Sequence, residues 1–191
     1  MLDAVLTFLA NEVNRNLARR SPVVEGEGML PGPVADDRGQ WALPVNSLGL
    51  TLFQIDEERT LRSQPPERVV LGGREIALPP ELKLNATLLV SARFTQYASA
   101  LRQLSKVLNF FHGRPLFTPA DSPGLPEGID RLAMDLLSYG PEQTNQLWTC
   151  LGARHLPSLV YRTRLVLLPE QPPALANGNP ALRSSATLGG R

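Results

Sequence analysis

LKLNATLLVSARF, residues 82–94, alternates Leu84, Ala86, Leu88, Val90 and Ala92 with Asn85, Thr87, Leu89, Ser91 and Arg93. Side chains of an extended chain point to opposite faces in turn, so this run is a strand with one apolar and one mostly polar face. Such a strand is covered on one side only. Its neighbours must supply the cover and the pairing partners.

Upstream, Ser47 to Ile55 alternates in the same way, with Leu48, Leu50 and Leu52 on one face and then Phe53 and Ile55 on the other. This is a second strand with a bulge or face switch near its end. The run Asp56-Glu57-Glu58-Arg59-Thr60 reads as its solvated end. Adjacent carboxylates on a strand face opposite ways and do not converge on one substrate. Residues 62–81 form a proline-bearing loop, with a small hairpin over 69–76 around Gly72-Gly73.

Downstream, the spacing predicts a helix over 95–111, capped by Thr95 and stopped by Gly113. Its stripe is Tyr97, Leu101, Leu104, Leu108 and Phe111, with Phe110 pointing away. Residues 115–128 hold four prolines and two glycines, which excludes regular helix and central strand. Leu116, Phe117 and Leu125 imply that this loop packs down. Ile129–Tyr139 reads as a strand, with helix as the rival, since Leu, Ala and Met favour it. Pro141 opens a short helix with Leu147, Trp148 and Leu151 on its apolar edge, ended by Gly152. Ser158–Leu168 is the last strand.

At the other end, Leu2, Val5, Leu6, Leu9, Val13 and Leu17 recur every three or four residues, predicting a helix over 2–20. Phe8 falls off that stripe, as a partly covered aromatic or a partner contact. Residues 21–46 are mostly loop, with short strands expected near Val23–Val24 and Trp41–Leu43. The fold class expected is α+β, an antiparallel or mixed sheet of about four to six strands with about three helices. Residues 1–168 are expected to form one domain. Residues 169–191, rich in Pro, Gly and Ser, form a tail expected to be disordered or ordered only on a partner.

Composition narrows the function. The chain has 191 residues, 42% of them hydrophobic, and a net charge of +1, with no basic surplus to hold a nucleic acid backbone. Cys150 is alone, so no intramolecular disulfide forms, which suits a reducing, cytoplasmic setting. The N-terminus lacks a basic n-region and does not read as a secretory signal. No run approaches the roughly 18 apolar residues of a membrane span.

No catalytic constellation emerges. Cys150 reads as a small packing residue, there is no Gly-x-Ser-x-Gly elbow, and no phosphate-binding or dinucleotide fingerprint is present. His112 and His155, the two histidines, are far apart in sequence, and a zinc site needs about four ligands at close spacing. No cofactor and no metal are expected. A hydrolase using Glu57, Glu58, His112 or Cys150 is the enzymatic rival. Arg162 and Arg164, on the last strand, read as a solvated or interface face.

Three groups of residues carry a resemblance. They are Phe110-Phe111-His112-Gly113-x-Pro115-x-Phe117-Thr118-Pro119, Ser122-Pro123-Gly124-Leu125-Pro126-x-Gly128-Ile129, and Asn145-x-Leu147-Trp148-x-x-Leu151-Gly152. With the opening helix, Leu52-x-x-Ile55-Asp56-Glu57-Glu58-Arg59-Thr60-Leu61-Arg62, Leu82-x-Leu84-Asn85-x-x-x-Leu89-x-x-Ala92-x-Phe94 and Leu156-Pro157-Ser158-Leu159-Val160-Tyr161-Arg162-x-Arg164, they resemble the domain family at the N-terminus of the cap, or tail-terminator, protein of extracellular contractile injection systems, which are phage-tail-like particles. The resemblance spans residues 1–168. It implies a small tail-terminator fold and a non-enzymatic subunit of a homohexameric ring that closes the distal end of the inner tube and sheath. The partners implied are further copies of itself and the sheath and tube subunits, with assembly in the cytoplasm. The short tail makes a stand-alone terminator a better match than a multidomain cap. An assembly chaperone or adaptor for tube or sheath subunits is the alternative. The candidate interface or signature residues are Phe8, Phe110, Phe117, Thr118, Pro119, Ser122, Pro123, Gly124, Leu125, Pro126, Trp148, Arg162 and Arg164. A loop so rich in proline loses little entropy when it docks.

Overall fold

The computed structural model describes residues 1–20, 28–58, 68–71, 74–77 and 82–167. The strand expected near Val23–Val24 and the tail from residue 169 lie outside the described residues. In chain order the elements are α1 (Leu2–Arg20), β1 (Met29–Pro31), β2 (Ser47–Glu57), β3 (Arg68–Leu71), β4 (Arg74–Ala77), β5 (Leu82–Arg93), α2 (Tyr97–Gly113), β6 (Leu116–Phe117), β7 (Ile129–Leu137), α3 (Pro141–Cys150) and β8 (Ser158–Leu167). The fold is α+β. Among the described residues, six strands form one mixed sheet in the order β1-β2-β5-β8-β7-β6, and β3–β4 form a separate hairpin. β1 runs parallel to β2, and every other neighbouring pair in the sheet is antiparallel.

The strand that decides the fold lies inside the sheet, paired with β2 on one side and β8 on the other. Its apolar set, Ala86, Leu88, Val90 and Ala92, joins Leu48, Leu50, Tyr161, Leu165, Leu132 and Met134 in one buried cluster under α1 and α2. Each buried Leu, Val or Met of this set contributes about 1.5–3 kcal/mol by leaving water, and the alanines less. The opposite face is covered too, at one end. Leu89 packs with Val34, Leu147 and Trp148 beneath α3 and the 34–43 loop, so the one-sided cover expected for this strand is corrected there. That loop is pinned by Arg93, whose guanidinium donates to the Leu43 carbonyl and lies 5.1 Å over the Trp41 ring. Gly49 makes room for it, since a Cβ at that position would sit 2.8 Å from Ser91 Oγ and 3.1 Å from Leu43.

The expected bulge in β2 falls at Phe53, where the register against β5 slips between Leu52 and Gln54. Phe53 packs in the second cluster, and the extra residue brings Ile55, opposite Ala86, back to the first face. Placing Ile55 with Phe53 is therefore corrected.

Two helix faces are also rotated from the expected stripes. Phe8 is buried in the core of α1, because the sheet and the 115–128 loop wrap more than a narrow stripe. In α2 the buried residues are Ala100, Gln103, Leu104, Val107, Phe110 and Phe111, while Tyr97 and Leu101 are exposed. Thr95 does not cap this helix. Gln96 holds the N-cap position, and Thr95 donates its N–H to Asn46 Oδ1.

β1 was not legible, because Met-Leu-Pro is too short to alternate. Its outer edge is closed by Asn14 of α1, which accepts from Met29 N at 2.7 Å and donates to Met29 O at 3.0 Å. The strand expected near Trp41 is one bridge, Ala35 to Trp41. The hairpin around residues 72–73 is present, Leu71 facing Arg74. Ile129–Leu137 is strand and not helix, because β8 offers it a full partner.

Candidate assembly interface

Residues 114–128 leave α2, add the two-residue β6 to the sheet and return to β7. Arg114 organises them. Its Nη1 donates to Glu12 Oε2 of α1 at 2.9 Å, and its Nη2 to Asp121 O at 2.9 Å and Ser122 Oγ at 2.7 Å. Its guanidinium lies 4.7 Å over the Phe117 ring. Glu12 is 8% exposed, and Arg15 pairs with its second oxygen. A buried carboxylate is stabilised only with such partners.

The turn closes on Asp121. Its Oδ1 accepts from Ser122 Oγ at 2.6 Å and Thr118 N at 3.0 Å. Those hydrogen bonds, Ser122 first, and the nearby Arg114 charge hold its carboxyl below the usual range. Ser122 N donates to Thr118 O, and Leu125 N to Ser122 O. The loop is thus ordered by its own polar network.

Beneath it runs a column of aromatic rings. Phe117 is fully buried, edge-on to Phe8 at 5.5 Å and tilted against Phe110 at 6.4 Å. Phe110 meets Phe111, and Phe111 meets Tyr161 of β8 at 5.1 Å. Offset and edge-on pairs of this kind add about 0.5–1.5 kcal/mol each beyond burial. Of the candidate contact residues, Phe8, Phe110, Phe117, Ser122 and Trp148 are buried within the chain. Pro119, Pro123 and Gly124 stand on the exposed rim, with Thr118, Leu125 and Pro126 half-buried. Tyr161 OH is buried without a hydrogen-bond partner among the described residues, and burial pushes its pKa up to about 12.

Arg162 and Arg164 project from the opposite sheet face. Arg164 is held by Asp135, with Nη2 at 2.7 Å from Oδ2. Arg162 lines a polar hollow with Gln54, Asp56, Asn85 and Thr87. Asn85 donates to Glu58 Oε2 at 2.8 Å. A third surface is an apolar groove of about 750 Å³ between α2 and the β7–α3 corner, walled by Tyr97, Leu101, Leu136, Trp148 and Leu159. Trp148 stacks edge-on with His155 at 5.4 Å, and its Nε1 is buried without an acceptor among the described residues. Gln143 Oε1 accepts from Gly140 N and caps α3 above it.

Cys150 is exposed and free, and His112 is exposed at the far end of α2. Among the described residues no group of three or more His, Cys, Asp or Glu side chains is placed to hold a metal, and no helix is long and apolar enough to cross a membrane.

Residues 4–178 match the Pvc16 N-terminal domain family. No curated protein matches the sequence. The fold is similar to that of the PVC sheath/tube terminator of an extracellular contractile injection system, in the extended state, with a TM-score of 0.55 and 18% identity over 95% of this chain and 63% of that one. It is similar also to the tube-terminating cap of the anti-feeding prophage, with a TM-score of 0.52 and 18% identity over 93% of this chain and 59% of that one. The chain therefore spans about three-fifths of the length of those two proteins.

Proposed function

The chain belongs to the Pvc16 N-terminal domain family, and from that membership we propose that it is a terminator subunit of a contractile injection particle. It acts by contact and not by catalysis. Copies of it form a ring, six-fold in our reading, that closes the distal end of the inner tube and the sheath and sets particle length. Assembly takes place in the cytoplasm, and the subunit remains in the finished particle. Residues 1–168 are the working domain.

The observation that carries this reading is the match across residues 4–178. The likeness in fold to a sheath/tube terminator supports it. The 114–128 loop suits the role. Its rim residues Pro119, Pro123 and Gly124 are exposed while its base is fixed by Arg114 and Phe117. A surface ordered before docking loses little conformational entropy on binding, and in a ring each such contact recurs.

The test is removal of the chain from cells that make the particle, with particle lengths measured by electron microscopy. Loss of the terminator gives tubes of uncontrolled length or sheaths that fail to persist. Normal lengths, with no copy of the chain at the particle ends, would overturn the reading. Recovery of the chain only on free tube or sheath subunits would assign it to assembly instead.

A further inference from the structure

The two sides of the sheet end differently. On the β1 side, Asn14 occupies the backbone groups of Met29, and Pro31 ends the strand. On the other side, β6 covers only part of β7: Leu116 faces Ala133 and Phe117 faces Leu132. Met134 N donates to Pro115 O at 2.8 Å, so the even-numbered backbone groups of β7 point outward. Antiparallel strands repeat this direction every second residue. Leu136 N–H and C=O therefore point to the same outer edge, one step past the end of β6, with no partner there among the described residues. The Leu136 side chain is 49% exposed, and beside it α2 exposes Tyr97 (69%) and Leu101 (43%). Folded proteins normally blunt an open edge with charge, proline or cover. Here an open edge borders an uncharged apolar groove.

The same chain carries a complementary piece. Among the described residues, β3 and β4 pair only with each other, outside the six-stranded sheet. A lone two-stranded hairpin is marginal in water and needs a third strand or a packed face. Its first strand reads Arg68-Val-Val-Leu, three uncharged apolar residues in a row. The hairpin leaves the sheet between Glu57 and Leu82. Leu82 is level with Leu167, and Leu167 with Ile129. Leu136 lies at the other end of β7, about 23 Å along the strand at ~3.3 Å per residue. The hairpin's attachment at Leu82 and the open edge at Leu136 are thus at opposite ends of the sheet.

We propose that the β3–β4 hairpin of one copy joins the open β7 edge of the next, with β3 pairing at Leu136 beside the α2 groove. This rests on the terminator reading, which calls for copies of the chain to contact one another. Strand addition supplies main-chain hydrogen bonds, and the groove supplies side-chain selectivity. Because the two surfaces differ, the contact passes head to tail from copy to copy, and such contacts form a ring when the rotation from copy to copy closes.

Native mass spectrometry of the full chain tests this with two variants. The donor variant replaces residues 68–77 with a Gly/Ser run of equal length. The acceptor variant is Tyr97→Glu/Leu101→Glu, at exposed helix positions where circular dichroism and thermal unfolding stay close to wild type. Each variant alone loses self-association by about 100-fold or more. Mixed, they form a two-copy complex and nothing larger, because each retains one working surface. Wild-type assembly by either variant alone, or a mixture that stays monomeric, would overturn the proposal. A wild-type chain that is monomeric throughout would overturn it as well, while its presence at particle ends would keep the terminator reading intact.

Discussion

Beneath α1 and α2, the sheet presents Leu48, Leu50, Ala86, Leu88, Val90, Leu132, Tyr161 and Leu165, all buried in one cluster. On its reverse, a smaller cluster of Val34, Leu89, Leu147 and Trp148 lies under α3, and beyond it Gln54, Asn85, Thr87 and Arg162 line an open polar hollow. The first face is finished by the chain itself. The second is finished only at one end, so its remainder is free to present chemistry outward. Stability should therefore be concentrated on the first face, and substitutions test that asymmetry.

The largest effect is expected from Phe117→Ala. Removing a fully buried ring from the aromatic column costs about 3–5 kcal/mol, read by chemical denaturation. Leu147→Ala, in the smaller cluster, should cost less, about 2–3 kcal/mol. A reversed order would break the comparison.

Next comes an alkaline effect at Tyr161. Its folded pKa is raised to about 12 from an ordinary value of 10.0. The unfolded chain therefore ionises first, and stability is full below pH 10 and falls between pH 10 and 12. Two pH units correspond to roughly 2–3 kcal/mol. Tyr161→Phe should flatten that limb in unfolding curves taken against pH, and at neutral pH should be neutral or slightly stabilising, since the hydroxyl has no partner.

Arg114→Met should cost about 2 kcal/mol, by leaving Glu12 with Arg15 alone and freeing the Asp121 turn. Faster amide exchange at Thr118 and Ser122 would show the loop loosening. Smallest is the Arg164–Asp135 pair on the reverse face, both members substantially exposed. A double-mutant cycle should return about 0.2–1 kcal/mol, diminished by salt.

Much of the layout was readable from period alone. The central strand, the hairpin, the bulge near Phe53 and the proline-led helix each announce themselves through local chemistry. The failures share a cause. Phe8 and Phe110 sit beside a helical stripe in sequence, yet the curled sheet and the 115–128 loop bury them from the flank. Thr95 is a good cap by type, but Asn46 claims its N–H from across the fold. Arg114, with no motif around it, becomes central because Glu12 reaches it from 102 residues away. Long-range contacts of this kind leave no periodic trace. The interface residues split for the same reason: the four aromatics and Ser122 pack inside, and Pro119, Pro123 and Gly124 of the loop rim stay outside with Arg162 and Arg164.

The strand order has a temporal side. β8, the last described element, is not at an edge but lies between β5 and β7, with Leu82 meeting Leu167 and Ser91 meeting Ser158. During synthesis β5 and β7 emerge without the strand that joins them, and their apolar faces must wait for it. Pairings so distant along the chain slow folding to the order of milliseconds to seconds. The domain therefore completes itself late, after release of nearly all of its residues, and until then its half-built sheet is a surface to which other chains adhere.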